Sequence, residues 1–208
     1  MKKLILSAIA VISFTIASQA QLKVGIKAGA GFNKQCINVT EGSIYSSNHV
    51  KGYHAGVISD LHLGGNFYLQ PQVLFSQKGV TLSNTNGHDA TLKISYVEVP
   101  VNLLYKFNLP YGKIFLGAGG AFSYAVAGKQ TIDGNKTNLY SGDKNWKRED
   151  ISLTFTAGFE FNNGLFASIN SQKGLLNTSQ VSGVSAKNES LSVSVGYLID
   201  WKKLKRRA

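Results

Sequence analysis

The sequence contains little charge, little proline and a single cysteine. Lys, Arg, Asp and Glu make up 16% of its 208 residues, against roughly 25% in an ordinary soluble domain. Cys36 alone cannot form an internal disulfide framework or a cysteine-cluster metal site. Gly, Ser, Thr, Asn and aromatic residues outnumber the good helix formers, which argues against a helical bundle. The 43% apolar content is too high for a disordered chain, so a β-rich protein is expected.

Residues 1–20 have the pattern of a secretory signal peptide. Met1–Lys3 is a short basic start, Leu4–Ala17 is apolar, and Ser18–Ala20 supplies small residues for cleavage before Gln21. The apolar run is shorter than the roughly 20 residues of a membrane-spanning helix. An exported chain without a later apolar helix is either free outside the inner membrane or a β-barrel in an outer membrane.

Eight segments alternate with period two between a large apolar face and a face of Gly, Ser and charged residues, as strands between two environments do. The predicted strands are Leu22–Asn33, Tyr53–Leu63, Phe67–Val80, Leu92–Phe107, Lys113–Gly128, Asp150–Phe161, Leu165–Gln172 and Asn188–Trp201. In the seventh strand, the direction of each face is ambiguous.

The connections alternate in length around these strands. Short turns are predicted at Gly64–Asn66, Asn108–Gly112 and Asn162–Gly164, and long polar loops at Gln35–Lys51, Thr81–Thr91, Lys129–Glu149 and Gly174–Lys187. Outer-membrane barrels have short periplasmic turns and long outer loops. The prediction is an all-β fold: an eight-stranded antiparallel, up-and-down transmembrane β-barrel over residues 21–201, preceded by the signal peptide. Residues 202–208 would form a basic periplasmic tail.

A soluble, lipocalin-like calyx is the alternative, with its apolar residues inside. Alternation alone does not separate inside from outside. The glycine-rich face suits a narrow lumen, and the low charge density suits a lipid-facing exterior, so the membrane barrel is favoured.

Three blocks carry a family pattern: Phe67–Gly79, Ile94–Phe107 and Ile114–Lys129. In the middle block, Tyr96, Glu98 and Pro100 form a Tyr-hydrophobic-Glu-hydrophobic-Pro strand. The blocks resemble the PorT-like outer-membrane β-barrel family of Gram-negative bacteria. The resemblance implies an outer-membrane barrel and rarely a named activity, although one branch is linked to protein export to the cell surface. Barrels of this family commonly end at an aromatic residue that closes the last strand. Here residues 202–208 follow Trp201, which departs from that pattern.

The predicted lumen face carries several charges, which a narrow barrel would have to pair. They are Lys23, Lys27, Asp60, Glu98, Lys106, Glu160 and Asp200. The prediction is a salt-bridged plug in which Glu98 pairs with a lysine or a tyrosine.

No catalytic, cofactor-binding or metal-binding residue is assigned. His54 and His62 share a face with Asp60, but strand geometry separates the two histidines by about 26 Å, too far for one metal. His49 or His54 would lie near the outer rim, where a lipid-acting enzyme needs a Ser/His/acid cluster, and no serine stands out as a nucleophile. Crowding in the lumen explains Gly117–Gly120 better than a phosphate-binding loop does. Cys36 is expected to be an unpaired thiol in the first outer loop.

The formal charge is +11. The basic residues near the C-terminus lack the interleaved aromatics of a nucleic-acid site, so contact with anionic lipid headgroups or cell-wall polymers is expected instead. The predicted partners are outer-membrane lipids, with the barrel-assembly machinery during biogenesis, and no nucleic acid. The predicted role is non-enzymatic, either structural or in surface interaction through the extracellular loops. The alternatives are an enzyme acting on outer-membrane lipids and an accessory component of protein secretion or transport.

Overall fold

The computed structural model describes residues 22–39, 48–83, 89–132, 135–139, 147–177 and 184–200. Within these ranges the chain forms only β-strands, joined by turns and short irregular segments. The strands are β1 (Leu22–Val39), β2 (Asn48–Gly64), β3 (Phe67–Ser83), β4 (Asp89–Leu109), β5 (Gly112–Ile132), β6 (Asn135–Asn138), β7 (Glu149–Phe161), β8 (Leu165–Gly174) and β9 (Val184–Asp200). No helix in the described ranges has the length and apolarity needed to cross a membrane.

Eight of these strands close into an antiparallel barrel, as the sequence predicts. Each pairs with its neighbours along the chain, and β5 pairs with β7 because β6 forms only a short hairpin on the outer part of β5. Strands β1 and β9 close the ring in one unbroken register from Lys23↔Asp200 to Val39↔Val184. Closure leaves none of the eight strands with a fully unpaired edge.

The strands extend further toward the long-loop end than the alternation predicts. The segment predicted as the first outer loop contains the end of β1 and the start of β2. Cys36 therefore lies in β1, where its backbone pairs with that of Lys187 in β9. The segment predicted as the third loop contains the end of β5 and the whole of β6. The loop predictions were therefore wrong at their edges, because strand pairing continues after apolar alternation has stopped.

The large apolar side chains point outward. Ile26 is 67% exposed, Val57 56% and Phe155 55%, whereas the inward Leu104 is 0% and Lys106 2% exposed. A soluble calyx has the opposite arrangement, so that alternative is wrong. The structure also settles the seventh predicted strand, in which Leu165, Ala167 and Ile169 face outward and Phe166 and Ser168 face the lumen.

Aromatic side chains lie at both ends of the outward apolar band. Near the short turns, Phe67 packs edge-on against Tyr105 at 5.1 Å between ring centroids, and Phe159 packs against Phe161 at 4.8 Å. Toward the long loops, the exposed aromatics are Phe32, Tyr53, Phe75, Phe122 and Tyr124. Two aromatic girdles flanking an apolar band are typical of barrels that cross an outer membrane.

Candidate functional site

The lumen near the short turns is closed by a cluster of ion pairs. Lys106 Nζ donates to Asp60 and, at 2.6 Å, to Glu160 Oε2, and all three side chains are at most 2% exposed. Lys23 Nζ lies 2.6 Å from Glu160 Oε1, and Gln70 Nε2 donates to Asp60 Oδ1 at 2.7 Å. The salt-bridged plug predicted from the sequence is confirmed here. Two lysines balance two carboxylates, as buried charges require.

Apolar side chains pack beside Lys106, while Lys23, with 31% of its side chain exposed, reaches water. The buried group consists of Ile58, Leu104, Phe115, Phe166 and Leu198, with Tyr68 packed against it. The Tyr68 ring centroid lies 4.6 Å from Lys106 Nζ, so the ammonium group also has a cation–π partner. The inner end of the lumen is consequently filled by side chains.

The middle of the lumen is polar and is organised around Lys27, which is 6% exposed. Its Nζ donates to Gln72 Oε1 at 3.2 Å and to Asn170 Oδ1 at 3.0 Å. Asn170 Nδ2 donates to Ser194 Oγ at 2.9 Å, and His54 Nε2 lies 2.8 Å from the same hydroxyl. A cavity of about 60 Å³ lies beside these groups, which is room for a few water molecules.

A second ion pair occupies the outer part of the lumen. Lys78 Nζ lies 2.5 Å from Glu98 Oε1, which confirms the predicted pairing of Glu98 with a lysine. Lys78 also donates to Gln172 Oε1 at 2.9 Å, and Gln172 Nε2 donates to Ser152 Oγ at 2.6 Å. This network joins β3, β4, β7 and β8 across the lumen.

Above the second ion pair, an apolar group narrows the outer mouth. Its buried members are Leu92, Ile94, Tyr96, Ala125 and Leu139. Leu139 follows β6, and its backbone N–H donates to the carbonyl oxygen of Gly128 at 3.0 Å. The short hairpin of β5 and β6 therefore places an apolar side chain against the inner wall.

The histidines noted in the sequence do not form a common site. His54 contacts Ser194 in the lumen, whereas His62 Nε2 lies 2.8 Å from the carbonyl oxygen of Gly65 in the first short turn. Asp60 belongs to the ion-pair cluster. His49 is in β2, but its side chain lies outside the described residues.

Lumen crowding explains Gly117 and Gly119 of β5 but not the exposed Gly120, where an added Cβ would meet nothing nearer than 3.8 Å. An added Cβ at Gly117 would collide with Leu104 Cδ2, and one at Gly119 would collide with the carbonyl oxygen of Val101. Sequence reasoning missed the lumen roles of Asn170 and Gln172, because the phase of their strand was ambiguous. The backbone of Asp200 pairs with Lys23, while Trp201 and residues 202–208 lie outside the described part of the chain.

Comparison with known proteins gives one family. The sequence profile described as "Outer membrane protein beta-barrel domain" matches residues 17–180. No curated protein matches the sequence.

Solved structures show distant likeness. The chain is similar to Ail of Yersinia pestis, with 15% identity, 86% of this chain and 99% of Ail covered, and a TM-score of 0.45. It is similar to Neisserial surface protein A, with 14% identity, 85% of this chain and 96% of that protein covered, and a TM-score of 0.45. It is also similar to OprG of Pseudomonas aeruginosa, with 11% identity, 86% of this chain and 97% of OprG covered, and a TM-score of 0.49.

The family match covers well over half of the sequence, and it agrees with the closed barrel, the outward apolar band and the aromatic girdles. The chain belongs to the outer membrane protein beta-barrel domain family and is an outer-membrane protein of Gram-negative type.

Proposed function

We propose that this protein is a non-enzymatic outer-membrane barrel that acts in surface structure or surface interaction through its extracellular side. The observation that carries the proposal is the filled lumen, in which Lys106, Asp60 and Glu160 close the inner end. A barrel without a passage has its remaining accessible surface at the two ends and along the lipid-facing wall.

The extracellular side is the larger of the two ends. Strands β4 and β5 each contain 21 residues, about twice the roughly 9–11 residues that cross a bilayer. The additional length lies on the long-loop side, where residues 89–96 of β4 precede the outward apolar run that begins at Val97. This raised wall supports a role in contacts outside the cell.

A lipid-acting enzyme is less well supported. His54 and Ser194 are in contact, but Ser194 is 1% exposed and faces the lumen, where acyl chains of the bilayer do not reach. A nucleophile for lipids would have to stand on the outer wall or at the rim.

The PorT-like resemblance belongs to the same proposal. Its motif residues have structural contacts here: Glu98 pairs with Lys78, and the Lys78 Nζ lies 5.5 Å from the Tyr96 ring centroid. These contacts support the motif as a device that holds the lumen together. A role in secretion would require a partner protein that the barrel assists.

We also propose that residues 1–20 are removed on export and that residues 202–208 form a periplasmic tail. The mass of the protein purified from outer membranes tests the first point. A mature chain that starts at Gln21 supports it, and a chain that retains residues 1–20 contradicts it.

The functional test compares cells that carry the intact barrel with cells in which residues 40–47 and 178–183 are replaced by short Gly-Ser turns. We expect both proteins to assemble, and only the intact one to support surface contacts, measured as adhesion to host-matrix or bacterial surfaces. Mass spectrometry of the lipids provides the second readout. Lipid chemistry that changes with expression of the barrel would favour the enzyme, and equal adhesion would contradict the loop-based role.

A further inference from the structure

Three lysines form a like-charged row on the outer wall: Lys51 on β2, Lys93 on β4 and Lys129 on β5. All three are exposed. Lys93 and Lys129 are direct partners in the β4–β5 register, and Gly79 of β3 is the partner of Lys93 on its other side. Lys51 lies at the same height, between the β2–β3 partners His49↔Val80 and Tyr53↔Gln77. Like charges on directly opposed residues of neighbouring strands destabilise a sheet, so this row has an energetic cost.

The described residues supply no counter-ion for this row: Lys51, Lys93 and Lys129 make no ion pair or side-chain hydrogen bond within them. The other side of the barrel is different. There Glu189 of β9 stands between Lys34 of β1 and Lys173 of β8, with Nζ–oxygen distances of 2.9 and 3.9 Å. Among the described residues, a carboxylate therefore offsets part of the lysine charge on that side, and none does so for Lys51, Lys93 and Lys129.

The row stands at the height of the lipid headgroups. Along β4, Lys93 comes just before the outward apolar series that starts at Val97, and along β2, Lys51 precedes the exposed ring of Tyr53. On β5, Lys129 follows the exposed Tyr124. Aromatic rings mark the boundary between hydrocarbon and headgroups, and the long-loop end is the extracellular one. The three cations therefore face the headgroups of the outer leaflet.

A depression lies between two of the lysines. An open space of about 350 Å³ is bounded by Val50, Lys51, Gln77, Gly79 and Lys93, together with Lys78. The side chain of Val50 packs against Gly79, where an added Cβ would lie 2.8 Å from Val50 Cγ1, so the open space lies beside Gly79. The ammonium group of Lys78 is turned inward to Glu98, so the charges that border the depression from outside are those of Lys51 and Lys93.

We propose that Lys51, Lys93 and Lys129 bind a phosphate group of an outer-leaflet lipid, with the depression between Lys51 and Lys93 receiving the sugar or glycerol that carries the phosphate. The phosphate supplies the missing negative charge, and phosphate oxygens accept hydrogen bonds from several ammonium groups at once. A lipid is the source because the wall directly below is apolar: Phe75, Val97 and Phe122 are 46%, 38% and 46% exposed and can contact acyl chains. Free phosphate would gain nothing from that wall.

The test measures lipid retention by native mass spectrometry of the full barrel in a mild detergent, titrated with diphosphorylated lipid A. The patch variant carries Lys51→Gln, Lys93→Gln and Lys129→Gln. The control variant carries Lys34→Gln, Lys173→Gln and Lys187→Gln, which removes the same number of cations from the other side of the barrel, Lys173 and Lys187 being exposed and Lys34 half-buried. We expect the patch variant to bind lipid A about tenfold more weakly and the control to stay within about twofold of the unmodified protein.

Three further arms complete the test. Dephosphorylated lipid A should bind the unmodified protein as weakly as lipid A binds the patch variant. Inorganic phosphate at millimolar concentration should leave bound lipid A in place. Replacement of the three lysines by arginine should keep binding within about twofold, because charge is retained. Equal loss in the patch and control variants, no loss in the patch variant, or displacement of the lipid by inorganic phosphate would overturn the proposal. All variants are first shown to be folded by heat-modifiable gel mobility.

Discussion

Lys106 carries a positive charge in a part of the lumen that water does not reach. Replacing it by Met keeps most of the side-chain length but leaves Asp60 and Glu160 buried without their shared cation. Removing one partner of a buried ion pair typically costs about 3–5 kcal/mol. We expect Lys106→Met to lower the free energy of unfolding by about that amount, measured by urea titration of the refolded barrel.

Lys113 provides the matched control for this variant. It is half-buried and lies on β5, the strand that pairs with the Lys106 strand β4. Its Nζ donates one hydrogen bond, to Tyr68 Oη at 3.1 Å. Lys113→Met should therefore cost only about 1 kcal/mol. Equal losses for the two variants would mean that the cluster around Lys106 contributes nothing specific.

Glu98 stabilises the outer ion pair. In Glu98→Gln, Lys78 keeps its hydrogen bond to Gln172 but loses its carboxylate partner. We expect a lower unfolding temperature and a loss of about 3 kcal/mol, the lower end of the cost of breaking a buried ion pair, because the Lys78 side chain is 14% exposed. Insertion into membranes should persist, since the outward apolar wall is unchanged. A variant that no longer inserts would show that Glu98 acts in assembly rather than in stability.

The pairing of buried charges could be predicted from the sequence, but most of the partners could not. Alternation places Lys23, Asp60, Lys106 and Glu160 on one face. Which of them meet depends on strand register and on the tilt of the barrel, which bring Lys23 and Glu160 together from opposite parts of the chain. Lys27 departs from the expected pattern, because its hydrogen-bond partners are the amide oxygens of Gln72 and Asn170.

At the scale of the strand, two adjacent glycines of β5 allow a direct comparison. An added Cβ at Gly119 would collide with backbone and side-chain atoms of Val101 and Asn102, whereas one at Gly120 meets nothing nearer than 3.8 Å. Gly119→Ala should destabilise the barrel by about 1–3 kcal/mol through overpacking. Gly120→Ala should be neutral or slightly stabilising. The fraction of folded protein, read from gel mobility over a temperature series, checks both, and equal behaviour would contradict the assigned lumen packing.

The last described strand leads to a truncation experiment. Removing residues 202–208 should leave assembly nearly intact, because the β1–β9 register already ends at Lys23↔Asp200. Removing residues 199–208 should prevent closure, since β1 would lose partners at that end. Heat-modifiable mobility in isolated membranes reports both outcomes. If the shorter deletion alone blocks assembly, the wall extends past Asp200.

The elements show where alternation is informative. It predicted the number of barrel strands and which residues share a face wherever lipid lies on one side, while the glycine-rich face and the low charge density predicted which face is the inner one. It failed for the ends of β1, β5 and β9, because both faces of a strand above the membrane meet polar surroundings, and the pattern no longer records direction. It also failed in β8, where the outward Ser171 interrupts the apolar face.

For the whole molecule, the filled lumen predicts that the barrel conducts no ions. Reconstituted in planar bilayers, the protein should show no stable conductance steps, because the inner ion-pair cluster and its apolar shell leave no continuous water path. A porin measured in the same bilayers serves as the positive control. Reproducible openings would contradict the closed lumen and would favour the transport alternative.

The β1–β9 seam also has a consequence for the order of folding. Its two strands are separated by most of the described chain, so the ring can close only after β9 has been synthesised and delivered. Contacts between distant segments make folding slow. Every hairpin can form early, yet the finished wall is reached in one late step. The interval before that step is when chaperones must shield the chain and when proteases can act on it.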